Sequence, residues 1–161
     1  MCMSYEEAMF YKIMLQSGNR EIYETWIDNK LNTEESFNEE TVDLAFLRDI
    51  NDIISYLHNY VLDKYVDENI VFEYIWTVIN KNYTDNTWTR EETVQRMYRI
   101  WSVIKDEEYS YEEPWYTMFL LDDLYEEASY GYVSKQSVNK VFEKFVLRKE
   151  VLTNKESQSR H

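Results

Sequence analysis

The chain contains very little glycine, proline or cysteine. Its 161 residues include two glycines and one proline, whereas a sheet protein with many tight turns ordinarily needs more of both. The single cysteine, Cys2, excludes an intramolecular disulfide and a metal site built from several cysteines. The scarcity of turn-forming residues therefore favours helices, and the length lies within the usual range for one domain.

Long apolar runs and sequence signals for secretion are also missing. No stretch reaches the roughly 18 apolar residues that a membrane-spanning helix needs. The first residues have neither the basic nor the apolar region of a secretory signal. His58 and His161, the two histidines, have no further histidine or cysteine nearby to form a metal cluster. We therefore expect a cytoplasmic protein that contacts no membrane and holds no cofactor.

Basic side chains are outnumbered by acidic ones. The chain has 17 Lys and Arg against 31 Asp and Glu, which gives a net charge of −14. Residues 1–134 carry 28 acidic and 10 basic side chains, whereas residues 135–161 carry 3 and 7. Such a negative chain disfavours nucleic acids and anionic membranes, because both present phosphate groups, and it favours a basic protein as partner. We expect the basic C-terminal segment to pack against acidic neighbours.

Apolar residues recur at three- and four-residue spacing along most of the chain, which predicts an all-α bundle of about six to seven helices. Ser4 with Glu7, and Thr89 with Glu92, have the spacing of capping boxes and mark two helix starts. The predicted helices cover residues 5–16, 19–31, 39–65, 67–81, 90–105 and 114–129, with a last helix from residue 134.

The end of the chain allows two interpretations. Apolar and charged residues alternate over 145–152, so a short strand is the alternative to a continued helix there. The polar residues 153–161 are predicted to be a flexible tail. The domain organisation expected from the sequence is therefore one helical domain, 1–152, followed by that tail.

The sharpest candidates for catalysis are Glu21-x-x-Glu24 and Glu40-x-x-Asp43. They resemble the ExxE and ExxD motifs of all-α nucleoside triphosphate pyrophosphatases, in which carboxylates from two adjacent helices hold magnesium. Carboxylates three residues apart share a helix face, and a hard cation prefers oxygen ligands. With 31 acidic side chains, however, such a spacing arises easily by chance. A magnesium-dependent pyrophosphatase is therefore the enzyme alternative to a non-catalytic protein.

The segment 106–127 combines negative charge with aromatic rings. It contains nine acidic residues and no Lys or Arg, interleaved with tyrosines, a tryptophan and a phenylalanine. Acidic groups steer a cationic partner and pair with it, while rigid aromatic side chains supply contact area. The predicted partner-binding residues are Asp106, Glu107, Glu108, Tyr109, Tyr111, Glu112, Glu113, Trp115, Asp122, Asp123, Glu126 and Glu127.

Several short runs carry a family resemblance, namely Glu113-Pro114-Trp115, Leu121-Asp122-Asp123-Leu124-Tyr125 with Gly131, Leu44-Ala45-Phe46 and Asn51-Asp52. In these runs the chain resembles the small acidic helical immunity proteins of bacterial polymorphic toxin systems. The resemblance implies stoichiometric inhibition of a cognate basic toxin, for example a nuclease, by direct binding over its active site or substrate groove. The same charge density would also suit a DNA-mimicking phage inhibitor of a host nuclease, which is the alternative within the binding class.

Overall fold

The structure is a computed structural model that describes residues 3–33 and 38–151. This part of the chain contains α-helices and one 3-10 helix, and no strand, so the predicted all-α class is confirmed. The helices are α1 (Tyr5–Gln16), α2 (Arg20–Thr33), α3 (Glu39–Phe46), α4 (Ile50–Val61), α5 (Glu68–Thr84), α6 (Arg90–Ile104), the 3-10 helix η1 (Glu108–Tyr111), α7 (Trp115–Ser129) and α8 (Lys135–Arg148). The expected tail, 153–161, lies outside the described residues.

The chain divides into two compact units, Met1–Tyr74 and Ile75–His161. In the first unit α1 packs against α4 and α2, and α2 packs against α3. No helix in the described stretches has both the length and the apolar character needed to cross a bilayer. The core of the first unit is formed by Met3, Ala8, Leu15, Tyr23, Ile27, Leu44, Ile53, Leu57 and Val61.

Helix α1 begins and ends at residues whose types predict a helix start and a helix end. The Ser4 hydroxyl accepts the backbone N–H of Glu7 at 3.0 Å, and the Glu7 carboxylate accepts the backbone N–H of Ser4 at 3.2 Å, which confirms the predicted capping box. At the other end Gly18 has a φ of 83°, a left-handed conformation that glycine adopts without steric cost. The backbone N–H of Asn19 then donates to the carbonyl of Met14 at 2.8 Å.

The single helix predicted over 39–65 is wrong, because the chain turns between Phe46 and Ile50. Leu47 and Asp49 have extended backbone conformations, with ψ of 126° and 130°. The Asp49 carboxylate accepts the backbone N–H of Asn51 at 2.8 Å and therefore caps α4. Phe46, which the periodicity placed on a buried face, is 80% exposed. This break is one reason why the described helices outnumber the six to seven predicted.

In the second unit α7 packs against α6, α8 and η1. The large side chains that fill its core include Ile79, Met97, Ile100, Trp115, Phe142 and Phe145. Helix α8 begins at the predicted cap, since the Ser134 hydroxyl accepts the backbone N–H of Ser137 at 3.3 Å. It continues to Arg148, so the strand alternative is wrong for residues 145–148. Leu152, the last residue of that alternative, lies outside the described residues.

Candidate functional site

The connection between α6 and α7 is held in place by hydrogen bonds from buried groups. The indole N–H of Trp101 donates to the carbonyl of Ser110 at 2.8 Å, and the Ser110 hydroxyl donates to the carbonyl of Lys105 at 2.9 Å. Ser110 is fully buried, and burying these polar groups would be costly without such partners. The connection, including η1, is therefore fixed against the end of α6.

An aromatic cluster lies on α6, η1 and α7. The Trp101 ring is 4.6 Å from the Phe119 ring and 5.8 Å from the Tyr111 ring, measured between centroids. The Tyr116 ring is 5.7 Å from that of Tyr111 and stacks on Phe119 at 5.6 Å. Tyr98 contacts Phe119 at 6.3 Å. These five residues are called the aromatic cluster below.

The rings of the cluster differ in their exposure to solvent. Trp101 is only 6% exposed and belongs to the core, whereas Tyr111 is 67% and Tyr98 39% exposed. Tyr116 and Phe119 are half-buried. The buried tryptophan therefore supports four rings that reach the surface to different extents.

Five exposed acidic residues and one half-buried one, Asp123, lie beside the cluster in the sequence or on the same helix face. Those of the connection are Asp106, Glu107, Glu108 and Glu112, and all four residues are exposed. On α7, Asp123 and Glu126 follow Phe119 by four and seven residues, so they share its helix face. These six acidic residues and the aromatic cluster are called the acidic aromatic surface. It contains most of the predicted partner-binding residues.

Glu113, also predicted to bind the partner, has a carboxylate that interacts within its own helix start. The Thr117 hydroxyl donates a hydrogen bond to it. Desolvation raises the pKa of Glu113, and the hydrogen bonds from Thr117 oppose this shift without cancelling it. Glu113 therefore ionises less readily than an ordinary glutamate, and its carboxylate already accepts a hydrogen bond from Thr117.

Trp115 was predicted as an anchoring residue, and the structure corrects this. The side chain is 1% exposed and packs in the core of the second unit. Tyr109 is half-buried and packs on it, with ring centroids 4.9 Å apart. Both rings therefore pack on the inner side of the connection and offer little or no surface to a partner. The apolar residues that follow Trp115 at helical spacing were the sequence signal for this burial.

Asp122 is oriented differently from Asp123. It lines a cleft of about 290 Å³ whose other lining residues include Arg90, Tyr125 and Lys135. Desolvation raises the pKa of Asp122, and the charges of Glu126 and Asp123 raise it further. The cleft carries charges of both signs, so Asp122 does not extend the acidic aromatic surface. Glu127, the remaining predicted residue on α7, is half-buried.

Comparison with known proteins finds no relative. No known protein family matches the chain, and no match is found among curated proteins or solved structures.

The four carboxylates of the pyrophosphatase alternative lie on α2 and α3, which pack together. Glu24 forms an ion pair with Arg20, and Asp43 accepts a hydrogen bond from the Tyr56 hydroxyl at 3.2 Å. Burial, followed by the charge of Asp43, raises the pKa of Tyr56 to about 12. Within residues 3–33 and 38–151, no group of three or more His, Cys, Asp or Glu side chains is arranged to hold a metal ion.

Four members of the aromatic cluster were not among the predicted site residues, namely Tyr98, Trp101, Tyr116 and Phe119. Tyr98 and Trp101 continue the apolar spacing of α6, which predicts that they belong to its buried face. Trp101 is buried as expected, but its ring links the cluster to η1 and α7. Tyr98 lies at the edge of the stripe and is partly exposed. Only the packing of α6 on α7 brings these rings beside the acidic segment.

Proposed function

We propose that this chain is a non-catalytic binding protein that neutralises a basic protein, as an immunity protein neutralises its cognate bacterial toxin. The observation that carries the proposal is the acidic aromatic surface, where exposed carboxylates adjoin partly exposed rings. A basic toxin, such as a nuclease, presents cationic groups where its phosphate substrate binds. The carboxylates of this chain would occupy that site in place of phosphate.

Electrostatic attraction supports such a role because it acts before contact. A net charge of −14 attracts a cationic protein over roughly a Debye length, about 8 Å at physiological ionic strength. Complementary charge raises the rate of association and disfavours partners of the wrong sign. Fast association is what an inhibitor needs when its target is toxic to the cell that makes it.

The fixed connection also supports the proposed role, because a surface that is already ordered should bind its partner more tightly. Binding costs free energy when loops and side chains must be ordered, and a surface ordered in advance avoids part of that cost. The hydrogen bonds that join Trp101, Ser110 and Lys105 hold the connection in place without a partner. Tyrosine and tryptophan are also the side chains that most often contribute strongly at protein interfaces.

Co-expression with candidate basic toxins from the same genomic neighbourhood tests this proposal. Growth should be restored by this chain with one of them, and the purified pair should form a stable complex. Titration of that toxin's activity should reach complete inhibition at an equimolar amount of this chain. Inhibition at far lower amounts would indicate catalysis, and failure to bind any of the toxins at low ionic strength would remove the proposal.

A further inference from the structure

Four rings of the aromatic cluster form a closed series of contacts. Trp101 contacts Tyr111, Tyr111 contacts Tyr116, Tyr116 contacts Phe119, and Phe119 contacts Trp101, with centroid distances of 5.8, 5.7, 5.6 and 4.6 Å. Tyr111 is the most exposed member, at 67%. Its neighbours hold the ring on two sides, so it presents aromatic surface without needing to be ordered by a partner.

Five aromatic rings outside the cluster have a cation of the chain itself near the ring face. The Arg96 guanidinium lies 4.4 Å from the centroid of the Trp88 ring, and the Lys149 ammonium lies 4.7 Å from that of Trp76. Similar contacts at longer distances join Lys30 to Trp26, Lys64 to Tyr5 and Arg90 to Phe142. In the part of the chain that the structure describes, no Lys or Arg lies over any of the five rings of the cluster.

Acidic residues around the cluster attract a cation. Glu108 begins η1, which ends at Tyr111, and Glu112 follows directly; both acids are exposed. Asp123 and Glu126 share the helix face of Phe119. No Lys or Arg occurs from residue 106 to residue 127. A cation at Tyr111 would therefore lie close to an aromatic ring and to carboxylates at the same time.

Arginine fits this combination better than lysine. The guanidinium group is planar, is weakly hydrated and stacks on aromatic rings while its edge pairs with carboxylates. The lysine ammonium is compact and strongly hydrated, so it loses more hydration on leaving water for a ring surface. Carboxylates alone attract both side chains, whereas aromatic rings beside carboxylates favour arginine.

We propose that the aromatic cluster is an arginine-binding site, in which Tyr111 receives a guanidinium group of the partner and Glu108 or Glu112 pairs with its edge. This inference rests on the proposed function and specifies which cationic side chain of the partner binds at the cluster. The basic partner should insert arginine, and not lysine, at this point of the interface.

Fluorescently labelled oligoarginine and oligolysine peptides of equal length test the proposal by fluorescence anisotropy at low ionic strength. The unmodified chain should bind oligoarginine about two- to fivefold more tightly than oligolysine, a ratio within the range expected for a cation on an exposed aromatic ring. Tyr111→Leu keeps an apolar side chain but removes the ring, so it should reduce that ratio to near one. Tyr111→Phe keeps the ring and should retain the preference.

Tyr65→Leu is the matched control, because Tyr65 is also highly exposed, at 83%, but belongs to the other compact unit. The control should leave the ratio unchanged. Equal binding of both peptides by the unmodified chain would overturn the arginine site while leaving a basic partner in place. Loss of the preference in Tyr65→Leu, or its retention in Tyr111→Leu, would also overturn the site. Binding of neither peptide would overturn the site and count against the proposed function as well.

Discussion

Asp122 carries a charge that the folded chain disfavours. Desolvation raises its pKa, and the charges of Glu126 and Asp123 add to this effect. A carboxyl group whose pKa is higher in the folded than in the unfolded state binds its proton more readily when folded. Stability therefore falls as the pH rises from the unfolded pKa through the folded one. Above that window the cost of ionising Asp122 is present in full, and below it the cost is absent.

Asp122→Asn should accordingly stabilise the chain at neutral pH. We expect the free energy of unfolding to rise by about 0.3 kcal/mol, the size of a like-charge pair four residues apart on a helix. The gain should disappear at a pH below the ordinary pKa of aspartate, where Asp122 is protonated in both states. Urea unfolding over a range of pH measures both effects.

Asp85 is the matched control for this pH dependence, because its pKa is shifted the other way. The Thr87 hydroxyl and the Thr87 backbone N–H donate to its carboxylate at 2.5 and 3.0 Å, and these hydrogen bonds lower the pKa. Asp85→Asn should therefore reduce stability at neutral pH, and the reduction should vanish as the pH falls through the lowered pKa. If Asp122→Asn lowered stability at neutral pH, as Asp85→Asn is expected to do, the account of Asp122 would be wrong.

The sequence could indicate which residue types form the site but not which aromatic side chains are exposed. Trp115 and Tyr111 lie in the same acidic segment, yet one is buried and the other largely exposed. The residues of α7 that become buried cover most of its circumference, because the helix packs against α6, α8 and η1. The sequence does not define those packing partners, so helical spacing alone could not separate an anchor from a core residue.

Among the helices, the break between α3 and α4 depends on Asp49. Its carboxylate accepts the backbone N–H groups of Asn51 and Asp52 at 2.8 and 3.4 Å. Asp49→Ala removes this cap and should lower the free energy of unfolding by about 1 kcal/mol. Asp49→Asn keeps an oxygen acceptor and should cost much less. Thermal or urea unfolding compares the two, and an alanine variant as stable as the asparagine variant would show that the cap contributes nothing.

Helix starts with capping signals were predictable, whereas the break was not. The Ser4 capping box and the caps at Thr89 and Ser134 are local, so the sequence displays them directly. The break was missed because Leu44 of α3 and Ile53 of α4 both face the same core. Apolar spacing therefore continues through the turn as if the helix were unbroken. The hydrogen bond from Trp101 to Ser110 that fixes η1 has no sequence signal of its own.

For the whole molecule, composition predicted the excess of negative charge but not where it combines with aromatic surface. The acidic segment 106–127 was visible in the sequence, and most of its carboxylates are exposed. Folding adds Tyr98 and Trp101 from α6 to that segment and directs Asp122 into a cleft that it shares with Arg90 and Lys135. Helix packing determines both outcomes, and local sequence patterns do not describe it.

The central claim, that this chain binds a basic toxin through its acidic aromatic surface, is tested most directly by the association rate with the toxin identified by co-expression. This rate is measured by stopped flow over a range of ionic strength. Two variants with equal change in net charge are compared, Glu108→Lys with Glu112→Lys on the acidic aromatic surface, and Asp28→Lys with Asp52→Lys in the other unit. All four residues are exposed. The surface pair should slow association by about tenfold at low ionic strength and flatten its salt dependence, and the control pair should have a much smaller effect. Equal slowing by both pairs, or a rate for the unmodified chain that does not depend on salt, would contradict the account.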